Sequence, residues 1–311
     1  MTLTYTLLPV LILFFAGCFK TPNLQNHPQK QIGSSNVPVS QNFNIKKPFF
    51  IDGGIFSISE DGNIYFVASE DKSVVRKARL DTPEEFSEFI DLKEWLKSDT
   101  FQNFEIDDLW SDHQGRLVVA ESTSGKILRI SKDARKLENL ADSYDGYRFT
   151  KIKGLAGNQM DQIFIGTPNA ATIYGFDPTD GKLEVLNEEL VRPNDFSMNT
   201  KGDRLLVSES KPNRVVVMEM NGTDSGFYSW ELIRFPRSQD EPLSLDLLDD
   251  QSNLLAVLIG NGQSLLLFDL EDGRIKARLS LPVRCYRVRH DQGWFYLQTD
   301  EGIIRVINTS G

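Results

Sequence analysis

The chain has 311 residues, 40% of them apolar, enough for one large domain or two small ones. Forty-four acidic against 34 basic side chains leave a net charge of -10, a surface that repels a phosphate backbone and argues against nucleic acid as a partner. Two cysteines, Cys18 and Cys285, make neither a disulfide framework nor a zinc-type spacing, and His27, His113 and His290 lie too far apart in sequence to suggest a metal site alone.

Residues 7–16 form an almost wholly apolar run with Pro9 inside it, too short for a membrane span. The run suits the apolar region of a secretory signal, with small Ala16 and Gly17 at the cleavage position. Phe15-Ala16-Gly17-Cys18 resembles the lipobox of bacterial lipoproteins, in which the cysteine is acylated and becomes the mature N-terminus. Phe15 stands where leucine is usual, and no Lys or Arg precedes the run. The resemblance implies a signal peptide over 1–17, a lipid anchor on Cys18, and an address in the bacterial cell envelope. The expected membrane is the outer one, with the chain facing the periplasm or the cell surface. Residues 19–42, rich in Asn, Gln, Pro, Ser and Lys, hold too few large apolar side chains to fold. They read as a flexible tether over 18–41, long enough to hold a domain roughly 25 Å from the membrane.

Beyond residue 44 a strand-turn-strand unit recurs. Polar turns at Gly62, Gly115, Asp161, Gly202, Ser252 and Gly293 each precede an apolar run. Their spacing of about 41 to 53 residues is that of a four-stranded propeller blade. Six units predict an all-β fold, a six-bladed β-propeller over residues 42–311. Thr82-Pro83-Glu84-Glu85 has a capping-box form, and Phe86, Phe89 and Ile90 share one helical face. A short helix is expected there, with 89–92 open to reading as the outer strand of the first blade. The last unit shows only three strands, whose edge would be left unpaired. Phe43 and Ile45 alternate with Asn44 and Lys46 before Pro48, so residues 42–47 are expected to pair with 303–307 and close the ring.

The phrases Asp-Gly-Asn-Ile-Tyr-Phe-Val from Asp61, Gln-Gly-Arg-Leu-Val-Val-Ala-Glu-Ser from Gln114 and Lys-Gly-Asp-Arg-Leu-Leu-Val-Ser-Glu-Ser from Lys201 resemble the NHL and gluconolactonase-like six-bladed propellers. The likeness covers roughly residues 45–311. It implies a divalent metal, such as calcium or zinc, at one channel mouth. That metal would be held by a Glu of the first blade, an Asn in a turn and an Asp of a later blade, and would polarise a lactone carbonyl. Pro193-Asn194-Asp195 falls in register with the Asn turn. Gly53 falls on the Glu position with Asp52 beside it, and Ser244 on the Asp position with Glu241 and Asp246 nearby. Asn194, Asp52 and Glu241 are therefore the candidate metal ligands.

Asp107 and Asp108 open an inner strand and are candidates for the channel mouth or for strand caps. Arg284 and Arg287 flank Cys285, placed to bind an anion or to pair with carboxylates. Glu121-Ser122 and Glu209-Ser210 close second strands at equivalent places and read as turn formers. Cys285 reads as a small core residue. No Gly-x-Ser-x-Gly elbow and no Gly-rich phosphate loop occurs. Two functions follow. One is a cofactor-free, membrane-tethered propeller that binds an envelope protein or a small ligand. The other is a metal-dependent lactonase or related hydrolase.

Overall fold

Short runs of branched and aromatic residues, punctuated by turn residues, favour strands over helices. A computed structural model describes residues 39–40, 49–96, 104–187, 189–220, 227–248, 253–271 and 273–307. In it the runs form six antiparallel four-stranded sheets, each taken in chain order from the channel outward. Blade one is Gly53–Ile58, Asn63–Ala68, Val74–Arg79 and Ser87–Asp91. Blade two is Ile106–Ser111, Leu117–Glu121, Lys126–Ile130 and Leu137–Ala141. Blade three is Leu155–Gly157, Ile163–Thr167, Thr172–Asp177 and Lys182–Asn187. Blade four is Pro193–Met198, Arg204–Glu209, Arg214–Met220 and Phe227–Arg234. Blade five is Pro242–Leu247, Leu254–Ile259, Ser264–Asp269 and Ile275–Ser280. The chain is a six-bladed β-propeller.

The second strands of blades one, two and three are buried along their whole length, which is why they read as unbroken apolar runs. Their side chains pack between blades. Tyr65 and Val67 of blade one meet Leu109, Leu117 and Val119 of blade two. Phe164 of blade three meets Phe196, Leu205 and Val207 of blade four. The core is thus a ring of layers around the axis. The turns fall where the repeat placed them: Gly62, Gly115, Gly202 and Gly293 have φ of 75, 74, 70 and 81°, in the left-handed region that glycine enters without a Cβ penalty.

Blade six takes Cys285–Asp291, Trp294–Thr299 and Ile303–Ile307 from the end of the chain and its outer strand from the beginning. Phe50 pairs antiparallel with Ile304 and Ile51 with Ile303, so an N-terminal strand closes the ring. The pairing strand is Phe50–Ile51 rather than 42–47, and residues 41–48 lie outside the described residues. Buried aromatic packing fixes this register. Phe49 sits edge-on to Tyr296 at 5.3 Å, and the Arg305 guanidinium lies 4.8 Å from the Phe49 ring and 4.2 Å from the Trp294 ring. Val39–Ser40, within the stretch read as tether, runs parallel to Ile275–Ser280 and adds a fifth strand to blade five.

The segment after blade one's third strand differs from the expected helix. Thr82 and Glu85 form a turn, with the Glu85 N–H donating to the Thr82 carbonyl at 3.0 Å. Ser87–Asp91 is the outer strand, and a five-residue helix, Leu92–Leu96, follows it. Tertiary pairing overrides the local capping signal: Ile90 pairs with Val75 and is buried.

Candidate functional site: the channel and its cavity

An inner strand has no neighbour toward the axis, so its backbone N–H groups need other partners. Polar side chains of the preceding blade supply them. Ser57 Oγ accepts the Ser111 N–H at 2.9 Å. Asp107 Oδ2 accepts the Ile152 N–H at 2.9 Å, and Asp108 Oδ2 accepts those of Gly154 and Leu155 at 2.9 and 3.0 Å. Ser197 Oγ accepts the Leu247 N–H at 3.1 Å, Ser244 Oγ the Val288 N–H at 3.1 Å, and Asp246 Oδ2 the His290 N–H at 2.6 Å. Arg287 Nη1 bridges blade six to blade one by donating to the Phe56 carbonyl at 3.1 Å.

The pairing slips one residue in blades one, two, four, five and six, in the second, fourth and sixth between Ile106 and Asp108, Pro193 and Asp195, and Cys285 and Arg287. Such a bulge re-aims the side chain that follows it. Asp108, Asp195 and Arg287, one from every second blade, meet across the ring. Arg287 Nη2 bonds Asp108 Oδ1 and lies 3.7 Å from Asp195 Oδ1. Arg289 forks the Asp195 carboxylate, Nη1 to Oδ2 at 2.8 Å and Nη2 to Oδ1 at 2.9 Å. Its Nη1 also donates to the carbonyls of Leu245 and Val288. The Ser244 hydroxyl donates to Asp195 Oδ2. Asp108 is 0%, Asp195 1% and Arg287 8% exposed, so the network is a buried plug across the axis. Burial alone pushes the Asp195 carboxyl up, but Arg289 and Arg287 outweigh it and hold it at about 2.

Beyond the plug, where the inner strands end, opens a cavity of about 340 Å³. Trp110, Phe196 and Met198 line it together with Ser111, Asp246 and Arg289. Trp110 lies over the backbone of Gly157, where a Cβ would come within 2.2 Å of its ring. Asp246 is pushed up to about 6, because burial and the nearby Asp195 outweigh Arg289 and the His290 N–H.

No protein-family model matches the sequence, and no curated protein matches it. The fold does have neighbours. A virginiamycin B lyase from Staphylococcus aureus, solved as a catalytically inactive variant with quinupristin, is 14% identical over 85% of this chain and 88% of its own, with a TM-score of 0.59. A protein assigned as a gluconolactonase is 14% identical over 88% of this chain and 94% of its own, with a TM-score of 0.59. A luciferin-regenerating enzyme is 12% identical over 85% and 96%, with a TM-score of 0.62. The chain shares the propeller fold of the gluconolactonase-like proteins and streptogramin B lyases. At these identities the likeness is one of fold.

The propeller places the residues singled out in the sequence as follows. Asp108 enters the plug, and Asp107 caps the strand of blade three, its carboxyl raised by burial. Arg287 pairs with carboxylates, whereas Arg284 is exposed with its guanidinium 5.0 Å from the Tyr286 ring. Asp52 is exposed and accepts the Ser69 hydroxyl at 2.6 Å. A Cβ on Gly53 would lie 2.5 Å from the Phe66 ring, so the position aligned with the family's Glu has no room for a side chain as packed. Asn194 Nδ2 donates to the Pro242 carbonyl at 3.0 Å, and Glu241 is half-buried beside Pro242. Among the described residues, no group of three His, Cys, Asp or Glu could hold a metal ion. Glu121 accepts the N–H groups of Thr123 and Ser124 at 2.6 and 2.8 Å, the turn role expected of it. Cys285 is fully buried, its thiol pushed up to about 12 by desolvation. Cys18 lies outside the described residues. Sequence reasoning missed Arg289, Ser197, Ser111 and Trp110. A signal was present: polar residues two apart in a short inner strand, as in Asp195-x-Ser197, Ser244-x-Asp246 and Arg287-x-Arg289.

Proposed function

We propose that this protein is a lipid-anchored envelope protein whose propeller binds a small ligand or a partner segment at the channel cavity. The observation that carries the reading is the buried ion-pair plug, which fills the axis and leaves a cavity of mixed polar and apolar lining above it. The plug's charged groups are already paired with one another, which suits a rigid scaffold. The Phe15-Ala16-Gly17-Cys18 stretch, followed by a polar segment, supports the anchor. Several acyl chains on one cysteine would hold the protein stably, where one would not. Metabolic labelling with a fatty-acid probe is expected to tag the wild type and not Cys18→Ala; equal labelling of both would remove the anchor.

A metal-dependent lactonase is the competing reading, and the fold neighbours favour it to that extent. Asn194 leads its candidate ligands, with Asp52 and Glu241, for calcium or zinc. Calorimetric titration with either ion separates the two functions. Tight one-to-one binding that is lost in Asn194→Ala would replace the binding reading with the enzymatic one.

A further inference from the structure

The charges around the cavity do not balance. Its lining includes the carboxylates of Glu60, Asp246 and Asp291, against Arg289, His113 and His290. Arg289 is engaged on both its terminal nitrogens by Asp195. Asp246 accepts the Ser197 hydroxyl on Oδ1 at 3.2 Å and the His290 backbone N–H on Oδ2. Among the described residues, no Lys or Arg lies within ion-pair distance of it. A second observation points to the same place. Ser111 lines this cavity, and its buried Oγ has no hydrogen-bond partner. The rest of the wall is apolar, with Trp110, Phe196, Met198 and Leu247.

We propose that the cavity binds a small organic ammonium ion, with the cation set against the Asp246 carboxylate and the apolar body against Trp110 and Met198. The proposal rests on the binding reading above and names its ligand class. A partly buried carboxylate without a salt bridge attracts a cation strongly, because water screens it less than at the surface. An indole adds attraction for the same charge. The volume, near the lower end of the range for ligand pockets, suits a compact molecule.

Calorimetric titration of the full chain in detergent tests this with three probes: benzyltrimethylammonium, phenylacetate and methyl glucoside. The quaternary ammonium keeps its charge at every pH. Binding of the ammonium at a single site is expected at pH 7.5, about tenfold or more weaker in Asp246→Asn and in Trp110→Leu. Affinity should also fall at pH 5, where the Asp246 carboxyl takes up a proton. Asp195 and Ser197 from blade four and Arg289, His290 and Asp291 from blade six face or flank this group. Asp246→Asn, which keeps His290, isolates the part due to Asp246. Equal or tighter binding of phenylacetate or the glucoside would overturn the ammonium class and leave the binding reading standing. Ammonium binding unchanged in a folded Asp246→Asn, or no ammonium binding at all, would also overturn it. Calcium- or zinc-dependent lactone hydrolysis without binding of any probe would remove both readings.

Discussion

Asp195 and Asp246 are one inner strand apart and burial raises both carboxyls, but only Asp195 is salt-bridged to arginines, which pull it below its ordinary value. Asp195 is held at about 2, below its ordinary 3.8. Its contribution to stability is complete above pH ~4 and is lost as the pH falls toward 2, about 2 kcal/mol in all. Asp195→Asn leaves Arg289 without its partner and Arg287 with Asp108 alone, and is expected to cost about 3–5 kcal/mol in denaturant unfolding at pH 7. A loss under 1 kcal/mol would mean the plug is structurally idle. Asp246 has the reverse sign. With the folded carboxyl at about 6 and the ordinary value at 3.8, the folded chain holds a proton that the unfolded chain releases. Stability therefore rises as the pH drops from 7.5 toward 5, by about 1 kcal/mol from this group. Asn mimics the protonated acid, donating to Ser197 Oγ and accepting from the His290 N–H. Asp246→Asn should therefore melt higher than wild type at pH 7.5 and lose that share of the acid-induced rise. A lower melting temperature for the variant at pH 7.5 would refute this account.

The outer strand of blade six is the element with the largest consequence for its length. Two residues, Phe50 and Ile51, supply the pairing, while Phe49 and Ile51 are 4% and 3% exposed. Phe49 also covers Arg305 and Tyr296. A chain beginning at residue 52 loses these side chains and exposes the edge of Ile303–Ile307. A chain beginning at residue 41 keeps them, and both lack the Val39–Ser40 strand. The shorter chain is expected to be less stable by about 3–5 kcal/mol, the usual cost of emptying one large apolar site. Differential scanning calorimetry of the two reads this directly, and coincident transitions would show that the closing strand contributes nothing. The Thr82–Asp91 segment carries a related lesson. Its capping-box letters favour a helix locally, but an outer strand completes the blade and buries Ile90 against Val75, so the pairing prevails.

At the scale of the whole molecule, polar contacts across the ring tie the blades to one another. Arg287 ties blade six to blades one and two, and Arg289 ties it to blade four. The blade count, the four-stranded pattern and the turn positions were legible in the sequence because each depends on local chemistry. Alternation and apolar runs mark strands, and residues such as Gly62 and Gly202 mark turns that need positive φ. Closure by an N-terminal strand was legible too, since the last unit lacked a fourth strand, but its register was not. That register is set by Phe49 against Tyr296 and Arg305, partners about 250 residues away in sequence. The site was the least legible part. Asp108, Asp195, Arg287 and Arg289 are scattered through three blades, and the two-apart spacing of polar residues marks inner strands without showing which charges meet. Only ring closure brings these inner strands to one axis, and only there do their charges find one another, leaving Asp246 without a salt bridge beside the cavity.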